Sequence, residues 1–103
     1  MNIDIDINSI SPEEFKKYTI VDIREAQELI HDPSLINCPH VPLSGAPENL
    51  SFYQSETPYL IFCHMGGRSH QVAAYLTEQG FKAYSINGGC AAVNQYLSKH
   101  ALA

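Results

Sequence analysis

The sequence predicts an α/β fold in which a largely parallel sheet is covered by helices. Short apolar or β-branched segments alternate along the chain with segments of helical composition, and this order is typical of parallel strands joined by helices. Hydrophobic residues are 45% of the 103 residues and charged residues are 17%. That balance supports a packed core rather than a disordered segment. We expect a single domain over residues 1–103 with one small site.

The first half of the chain contains two predicted strands, each followed by a predicted helix. The alternation in NIDIDI, residues 2–7, favours a short strand, and its terminal position favours the edge of a sheet. A helix start signal follows, with Ser11 as N-cap and Pro12 as the first helical residue. Glu14, three residues after Ser11, completes a capping box. TIVDI at 19–23 is rich in β-branched residues and predicts a strand, whereas the residues after it have the composition of a helix.

The second half begins with a loop and then returns to alternating strands and helices. Four prolines and a glycine between residues 31 and 47 predict a long loop with room for one brief strand. YLIFC at 59–63 is a continuous apolar run, typical of a central strand covered on both faces. The segment 69–81 predicts a helix with a glycine suited to a left-handed C-cap. A short strand at 83–86 and a last helix at 90–100 follow.

The candidate site is the loop that follows the central strand, where Cys63 is separated by HMGGR from Ser69, the candidate N-cap of the next helix. Ligands of parallel sheets bind beyond the carboxyl ends of the strands, where helices present their N-termini. Gly66 and Gly67 can adopt backbone conformations that turn successive amides inward to attract an anion. A helix N-terminus and the nearby Arg68 would lower the pKa of the thiol from about 8.5. The pattern predicts a reactive thiolate in an anion-binding loop.

Three segments match the motifs of one protein family and follow each other along the chain in the family's order. CHMGGRS at 63–69 fits the loop C-x-x-G-x-R-[ST] throughout. VDIRE at 21–25 is similar to V-D-[VI]-R-E, and Glu28 to the acidic residue shortly after it. LTEQGFKAYSINGG at 76–89 resembles L-x-x-x-G-[FY]-x-x-x-x-x-x-G-G. Together these motifs, which cover most of residues 19–93, resemble the single-domain rhodaneses, a family of sulfurtransferases with an α/β fold.

The resemblance implies a rhodanese-like three-layer sandwich, with a central, largely parallel β-sheet flanked by helices. It implies that Cys63 attacks the outer sulfur of a small anionic donor such as thiosulfate, or of a persulfide. The resulting Cys63 persulfide then passes its sulfur to cyanide or a thiol. No metal and no organic cofactor is implied. The expected compartment is the cytoplasm, because MNIDIDINSI lacks the basic start and apolar run of a secretory signal.

The family's site residues carry over by position. The substrate- and anion-binding loop comprises His64, Met65, Gly66, Gly67, Arg68 and Ser69. The amides of residues 64–68 are expected to cradle the sulfur, while Arg68 either holds the anion or orders the loop. Asp22 and Arg24 match a pair that we interpret as structural support at the end of the sheet. Removing either is therefore expected to reduce stability before it affects catalysis.

The chain departs from the family pattern in two places. PHVPLSGA at 39–46 stands where the family usually has G-H-I-P-G-A, so no role is assigned to His40. Val93 stands at a position where the family usually has tryptophan, in a chain that contains no tryptophan. This second departure is expected to alter core packing more than catalysis.

Charge and hydropathy disfavour two classes of partner. The net charge is −5, with six Lys and Arg against eleven Asp and Glu, which argues against nucleic-acid binding. The longest apolar run, residues 59–63, is far shorter than the roughly 20 residues of a membrane-spanning helix. The sequence therefore predicts neither a nucleic-acid partner nor a membrane partner.

Two other functions of the loop are open. The domain could be a sulfur carrier or binding module that delivers its persulfide only to a protein partner. A cysteine-based phosphatase or arsenate reductase is less favoured, because the motif C-x-x-x-x-x-R has one more residue than the four between Cys63 and Arg68. The shorter loop has less room for a tetrahedral phosphate.

The remaining cysteines and histidines have simpler interpretations. Three widely spaced cysteines favour reduced thiols over a disulfide framework, and Cys38 and Cys90 are interpreted as packing thiols. His64 and His70 flank the loop and receive no catalytic role. A zinc site that combines Cys38 and His40 with the Cys63 loop is disfavoured, because the sequence has no C-x-x-C pair.

Overall fold

The structure is a computed structural model that describes residues 3–102. Within that range the chain forms a sheet of four parallel strands in the order β1-β4-β3-β2. The strands are β1 (Asp4–Ile5), β2 (Thr19–Asp22), β3 (Pro58–Phe62) and β4 (Lys82–Ile86). The prediction of an α/β fold with a parallel sheet is confirmed. β1 lies at one edge, as its terminal position predicted, and β3 is an inner strand.

The described part of the chain also contains four α-helices and three short 3₁₀ segments, of which the last α-helix follows the last strand and the others lie between strands. The α-helices are α1 (Pro12–Phe15), α2 (Ala26–His31), α3 (Gly67–Glu78) and α4 (Gly89–Lys99). The 3₁₀ segments are Ile7–Ser9, Leu43–Gly45 and Glu48–Phe52. The predicted capping box of α1 is confirmed, because the Ser11 hydroxyl accepts from the Glu14 amide and the Glu14 carboxylate accepts from the Ser11 amide. Within residues 3–102 the helices are too short or too polar to cross a bilayer.

Side chains of successive strand residues enter two separate hydrophobic clusters, one on each face of the sheet. On β3, Leu60 and Phe62 pack with residues of α1 and α4, while Tyr59 and Ile61 pack with residues of α3. This alternation follows from the pleat of a strand, which directs neighbouring side chains to opposite faces. The prediction of a strand covered on both faces is confirmed, but β3 runs from Pro58 to Phe62 and ends one residue before Cys63.

Two predicted boundaries are wrong. Ile7 begins a 3₁₀ segment instead of extending the first strand, because Asp6 caps that segment by accepting from the Asn8 amide. The start of the predicted strand, Asn2, lies outside the described residues. α3 begins at Gly67 with Gly66 as its N-cap, three residues before the start that the candidate N-cap Ser69 implied. The Ser69 hydroxyl instead points inward and bonds to buried groups.

Candidate functional site

Cys63 lies directly after β3, at the carboxyl edge of the sheet. Its residue surface is 1% exposed. The backbone at this point is held from two sides, because the Ile23 amide donates to the Phe62 carbonyl at 3.1 Å and the Cys90 amide donates to the Cys63 carbonyl at 2.9 Å. These bonds come from the chain after β2 and from the first turn of α4, and they fix the position from which the thiol projects.

The sulfur of Cys63 is surrounded by hydrogen-bond donors. The Gly66 amide donates to Sγ at 3.1 Å and the Ser69 amide at 3.4 Å, while the Ser69 hydroxyl oxygen lies 3.5 Å from Sγ. Burial raises the pKa of the Cys63 thiol, but the bonds from the Ser69 side chain and from the amides of Ser69, Gly66 and Met65 outweigh it. The pKa is therefore lowered from its ordinary value, and the site favours the thiolate.

The inward turn of the loop depends on one of its two glycines. Gly66 has φ +112°, in the left-handed region, whereas Gly67 is the first residue of α3 with no such φ. The cradle also extends beyond the one expected, since the Ser69 amide, which lies outside residues 64–68, donates to the sulfur in addition to the Gly66 amide. The first turn of α3, rather than the loop alone, supplies the second amide.

Substitutions at the two glycines should therefore have unequal effects. Gly66→Ala forces a β-carbon into a left-handed conformation, and we expect it to reduce stability by about 1–3 kcal/mol and to displace the amide that binds sulfur. Gly67→Ala, the matched control, meets open space at an ordinary helical position and should change stability by less than about 1 kcal/mol. Urea unfolding and the alkylation rate of Cys63 measure both effects. Equal losses in the two variants would contradict this account.

Arg68 is directed at Glu28 of α2. Its two terminal nitrogens donate to the two carboxylate oxygens of Glu28 at 2.6 and 2.7 Å. This ion pair joins the Cys63 loop to α2. The sequence motif included Glu28 without giving it a role. Its distance of 40 residues from Arg68 explains why no local pattern pairs them.

The Arg68–Glu28 pair should make stability depend on acid pH. The hydrogen bond from Arg68 lowers the pKa of Glu28 to about 2. A lowered carboxyl pKa stabilises the fold above its unfolded value of about 4.3, and this contribution is lost as the pH falls from there toward 2. Because both side chains are about one-third exposed, we expect about 1 kcal/mol. Urea unfolding of Glu28→Gln at pH 7 and pH 3 measures it.

The matched control for this experiment is Glu78→Gln, which removes one exposed carboxylate at the end of α3. The parent should exceed Glu28→Gln in stability at pH 7, and the difference should shrink at pH 3. A difference in stability that stays constant between the two pH values, or that Glu78→Gln reproduces, would show that protonation of Glu28 does not change the stability of the fold.

Asp22 and Arg24 form a buried ion pair at the end of β2. Arg24 is 0% exposed, and its Nε and one terminal nitrogen donate to the Asp22 carboxylate at 3.0–3.2 Å. Its other terminal nitrogen donates to the Asp32 carbonyl at 2.6 Å, and its own carbonyl accepts from Nε2 of His40. The pair therefore holds the start of the proline-rich loop against the sheet. The brief strand expected in that loop is a single parallel bridge between Asp22 and His40.

The NGG turn before α4 contributes to the site, which sequence reasoning missed. Gly89 has φ +61°, and a β-carbon at this position would lie 2.1 Å from the His64 carbonyl oxygen and 2.6 Å from that of Cys63. The turn therefore packs directly against the backbone of the Cys63 loop. The sequence does contain a double glycine before the predicted last helix, but this pair predicts only a turn.

The other candidate residues lie around the loop. His64 is about half exposed, with Nδ1 at 3.7 Å from a carboxylate oxygen of Asp32, and Met65 is 75% exposed. His70 contacts the Asp4 carboxylate at 2.9 Å and so joins α3 to β1. Within residues 3–102, no group of three or more His, Cys, Asp and Glu side chains is placed to hold a metal ion.

The two other cysteines are in environments unlike that of Cys63. Burial raises the pKa of Cys38 to about 11, and burial also raises the pKa of Cys90. All three cysteines are free thiols. Cys63 is thus the cysteine whose surroundings favour the anion.

The fold and the loop together define the class: an α/β protein with a thiolate-favouring cysteine between a parallel strand and the N-terminus of a helix. A family model for the rhodanese-like domain matches residues 10–96. The chain therefore belongs to the rhodanese-like domain family, as the three sequence motifs indicated.

Relatives with names and solved structures agree with this assignment. The putative sulfurtransferase YtwF of Bacillus subtilis is 32% identical over 70 residues, which are 68% of this chain and 67% of YtwF. The thiosulfate sulfurtransferase GlpE of Coxiella burnetii is 35% identical over 71 residues, 68% of this chain and 65% of GlpE. The crystal structure of a rhodanese-related protein from Thermoplasma volcanium matches with TM-score 0.71 at 26% identity, covering 95% of this chain and 91% of that one.

Proposed function

We propose that this protein is a sulfurtransferase that carries a sulfane sulfur on Cys63. The observation that carries the proposal is the Cys63 sulfur, which accepts hydrogen bonds from the amides of Gly66 and Ser69 at the start of a 12-residue helix. Two relatives named as sulfurtransferases support the same assignment. With thiosulfate as donor, the Cys63 thiolate attacks the outer sulfur, the sulfur–sulfur bond of the donor breaks, and sulfite leaves with the electron pair.

The second half of the reaction returns the enzyme to its starting state. Cyanide or a thiolate attacks the outer sulfur of the persulfide, the bond between the two sulfurs breaks, and the Cys63 thiolate is the leaving group. The amides that face Sγ stabilise negative charge on sulfur both before attack and after release. The positive end of the α3 dipole acts in the same direction.

Access to the sulfur is a requirement of this mechanism. Because Cys63 is 1% exposed, the donor reaches Sγ only when residues of the loop move aside. A cavity of about 310 Å³ lies beside the loop and is lined by Gln27, Glu28, His31, Asp32 and His64. We propose that small donors and acceptors approach from this side, past the exposed side chain of His64.

The direction of Arg68 supports sulfur transfer over phosphate chemistry. A cysteine phosphatase uses its loop arginine to bind the oxyanion, whereas the Arg68 guanidinium is held by both carboxylate oxygens of Glu28. The loop is also one residue shorter than the phosphatase motif. A persulfide needs space for only one additional sulfur atom.

The test follows the mass of the intact protein. The parent is incubated with thiosulfate, and we expect a gain of one sulfur atom that disappears when cyanide is added, with thiocyanate formed in equal amount. A parallel incubation with an aryl phosphate should release no phosphate. No sulfur gain with thiosulfate or a low-molecular-weight persulfide, or phosphate release that depends on Cys63, would overturn the proposal. Sulfur gain without transfer to cyanide or small thiols would instead favour a carrier that serves a protein acceptor.

A further inference from the structure

A second buried hydroxyl lies beside that of Ser69. Ser85 of β4 is 1% exposed, and its Oγ is 2.7 Å from Oγ of Ser69. Ser69 Oγ is in turn 3.5 Å from Sγ of Cys63. The Gly66 carbonyl is the alternative acceptor for both hydroxyls, at 3.2 Å from Ser69 Oγ and 3.5 Å from Ser85 Oγ. The four groups form one cluster, in which Cys63, Ser69 and Ser85 are buried and Gly66 is partly buried.

Because the cluster has few hydrogens to donate, the directions of its hydrogen bonds depend on whether Cys63 is a thiol or a thiolate. Each hydroxyl has one hydrogen to donate and can also accept. When Cys63 is a thiol, its S–H donates to Ser69 Oγ, the Ser69 hydroxyl donates to Ser85 Oγ across the 2.7 Å contact, and the Ser85 hydroxyl donates to the Gly66 carbonyl. When Cys63 is a thiolate, Sγ can only accept, so the Ser69 hydroxyl turns to the sulfur. The Ser85 hydroxyl then donates to Ser69 Oγ in place of the thiol.

We propose that Ser85 is a positioning residue that directs the Ser69 hydroxyl at the Cys63 sulfur. This inference rests on the proposed function, in which Cys63 acts as a thiolate. In a buried chain of hydrogen bonds each donor polarises the next, so the bond from Ser85 strengthens the bond from Ser69 to sulfur. Without Ser85, the Ser69 hydroxyl keeps the Gly66 carbonyl as a competing acceptor and loses the donor that favours its turn to the sulfur.

The inference predicts that Ser85 acts on the thiol only through Ser69. The test measures how the alkylation rate of Cys63 by iodoacetamide depends on pH, read by mass on the peptide that contains Cys63. We expect Ser85→Ala to raise the midpoint by about 0.5 to 1 pH unit, and Ser69→Ala to raise it by at least as much. The double variant should have the same midpoint as Ser69→Ala. The Arg68–Glu28 ion pair beside the loop is kept in all variants.

Two results would overturn the inference. One is an unchanged midpoint in Ser85→Ala, and the other is an equal further rise when Ser85→Ala is added to Ser69→Ala, which would mean that Ser85 acts independently. Ser85→Thr retains a hydroxyl and should retain the parent midpoint, a rescue that a purely packing role does not predict. Thermal unfolding of each variant checks the fold. The midpoint can be read in a protein that transfers no sulfur, so failure of the proposed function is distinguishable from failure of this inference.

Discussion

Cys63→Ser should lower the rate of thiocyanate formation from thiosulfate and cyanide by at least about 10³-fold. A serine hydroxyl stays protonated near neutral pH and forms no persulfide, so the variant lacks both the nucleophile and the sulfur carrier. The fold should be preserved, because the exchange of sulfur for oxygen is nearly isosteric and the Gly66 and Ser69 amides retain an acceptor. Steady-state thiocyanate assays together with intact mass measure the loss.

The controls for this variant are Cys38→Ser and Cys90→Ser. Burial raises the pKa of both thiols, so neither is prepared to act as a nucleophile. We expect each control to gain one sulfur from thiosulfate as the parent does, after correction for any loss of folded protein. An equal loss of transfer in Cys38→Ser, or more than about a tenth of the parent rate in Cys63→Ser, would show that the sulfur is carried elsewhere.

Gly89→Ala should be the most destabilising of the glycine substitutions, by about 3–5 kcal/mol. Two penalties combine at this position. The left-handed φ of +61° strains any residue with a β-carbon, and the new atom would lie 2.1 Å from the His64 carbonyl oxygen. The conflict is with backbone rather than with the end of a flexible side chain. Either α4 or the Cys63 loop must therefore move.

Gly80→Ala is the matched control, since Gly80 has φ +94° but a β-carbon there meets nothing within 4 Å. It should cost only the conformational penalty, about 1–2 kcal/mol. Thermal unfolding compares the two variants, and we expect Gly89→Ala to lower Tm by at least about 4 °C more than Gly80→Ala. Similar Tm values would contradict this prediction, since they would mean that the turn at Gly89 can move away from the Cys63 loop at little cost in stability. Gly89→Ala should also slow alkylation of Cys63, whereas Gly80→Ala should not.

The fold was largely predictable because its signals are local. The capping box of α1, the apolar run of β3 and the glycine that ends α3 each span a few residues. The same is true of the position of Cys63, which follows from the place where β3 stops. The start of α3 was misplaced because Ser69 has the residue type of an N-cap but uses its hydroxyl inside the protein.

The chain by itself determined that a cysteine follows an inner strand of a parallel sheet and precedes a helix, because strand and helix periodicity and capping are encoded between near neighbours. Only the tertiary structure decided which groups meet at that cysteine. Glu28 is 40 residues from Arg68, and Ser85 is 16 residues from Ser69. Gly89 reaches the Cys63 backbone from the far end of β4. These contacts depend on the strand order and on the packing of helices against both faces, and no short segment encodes either.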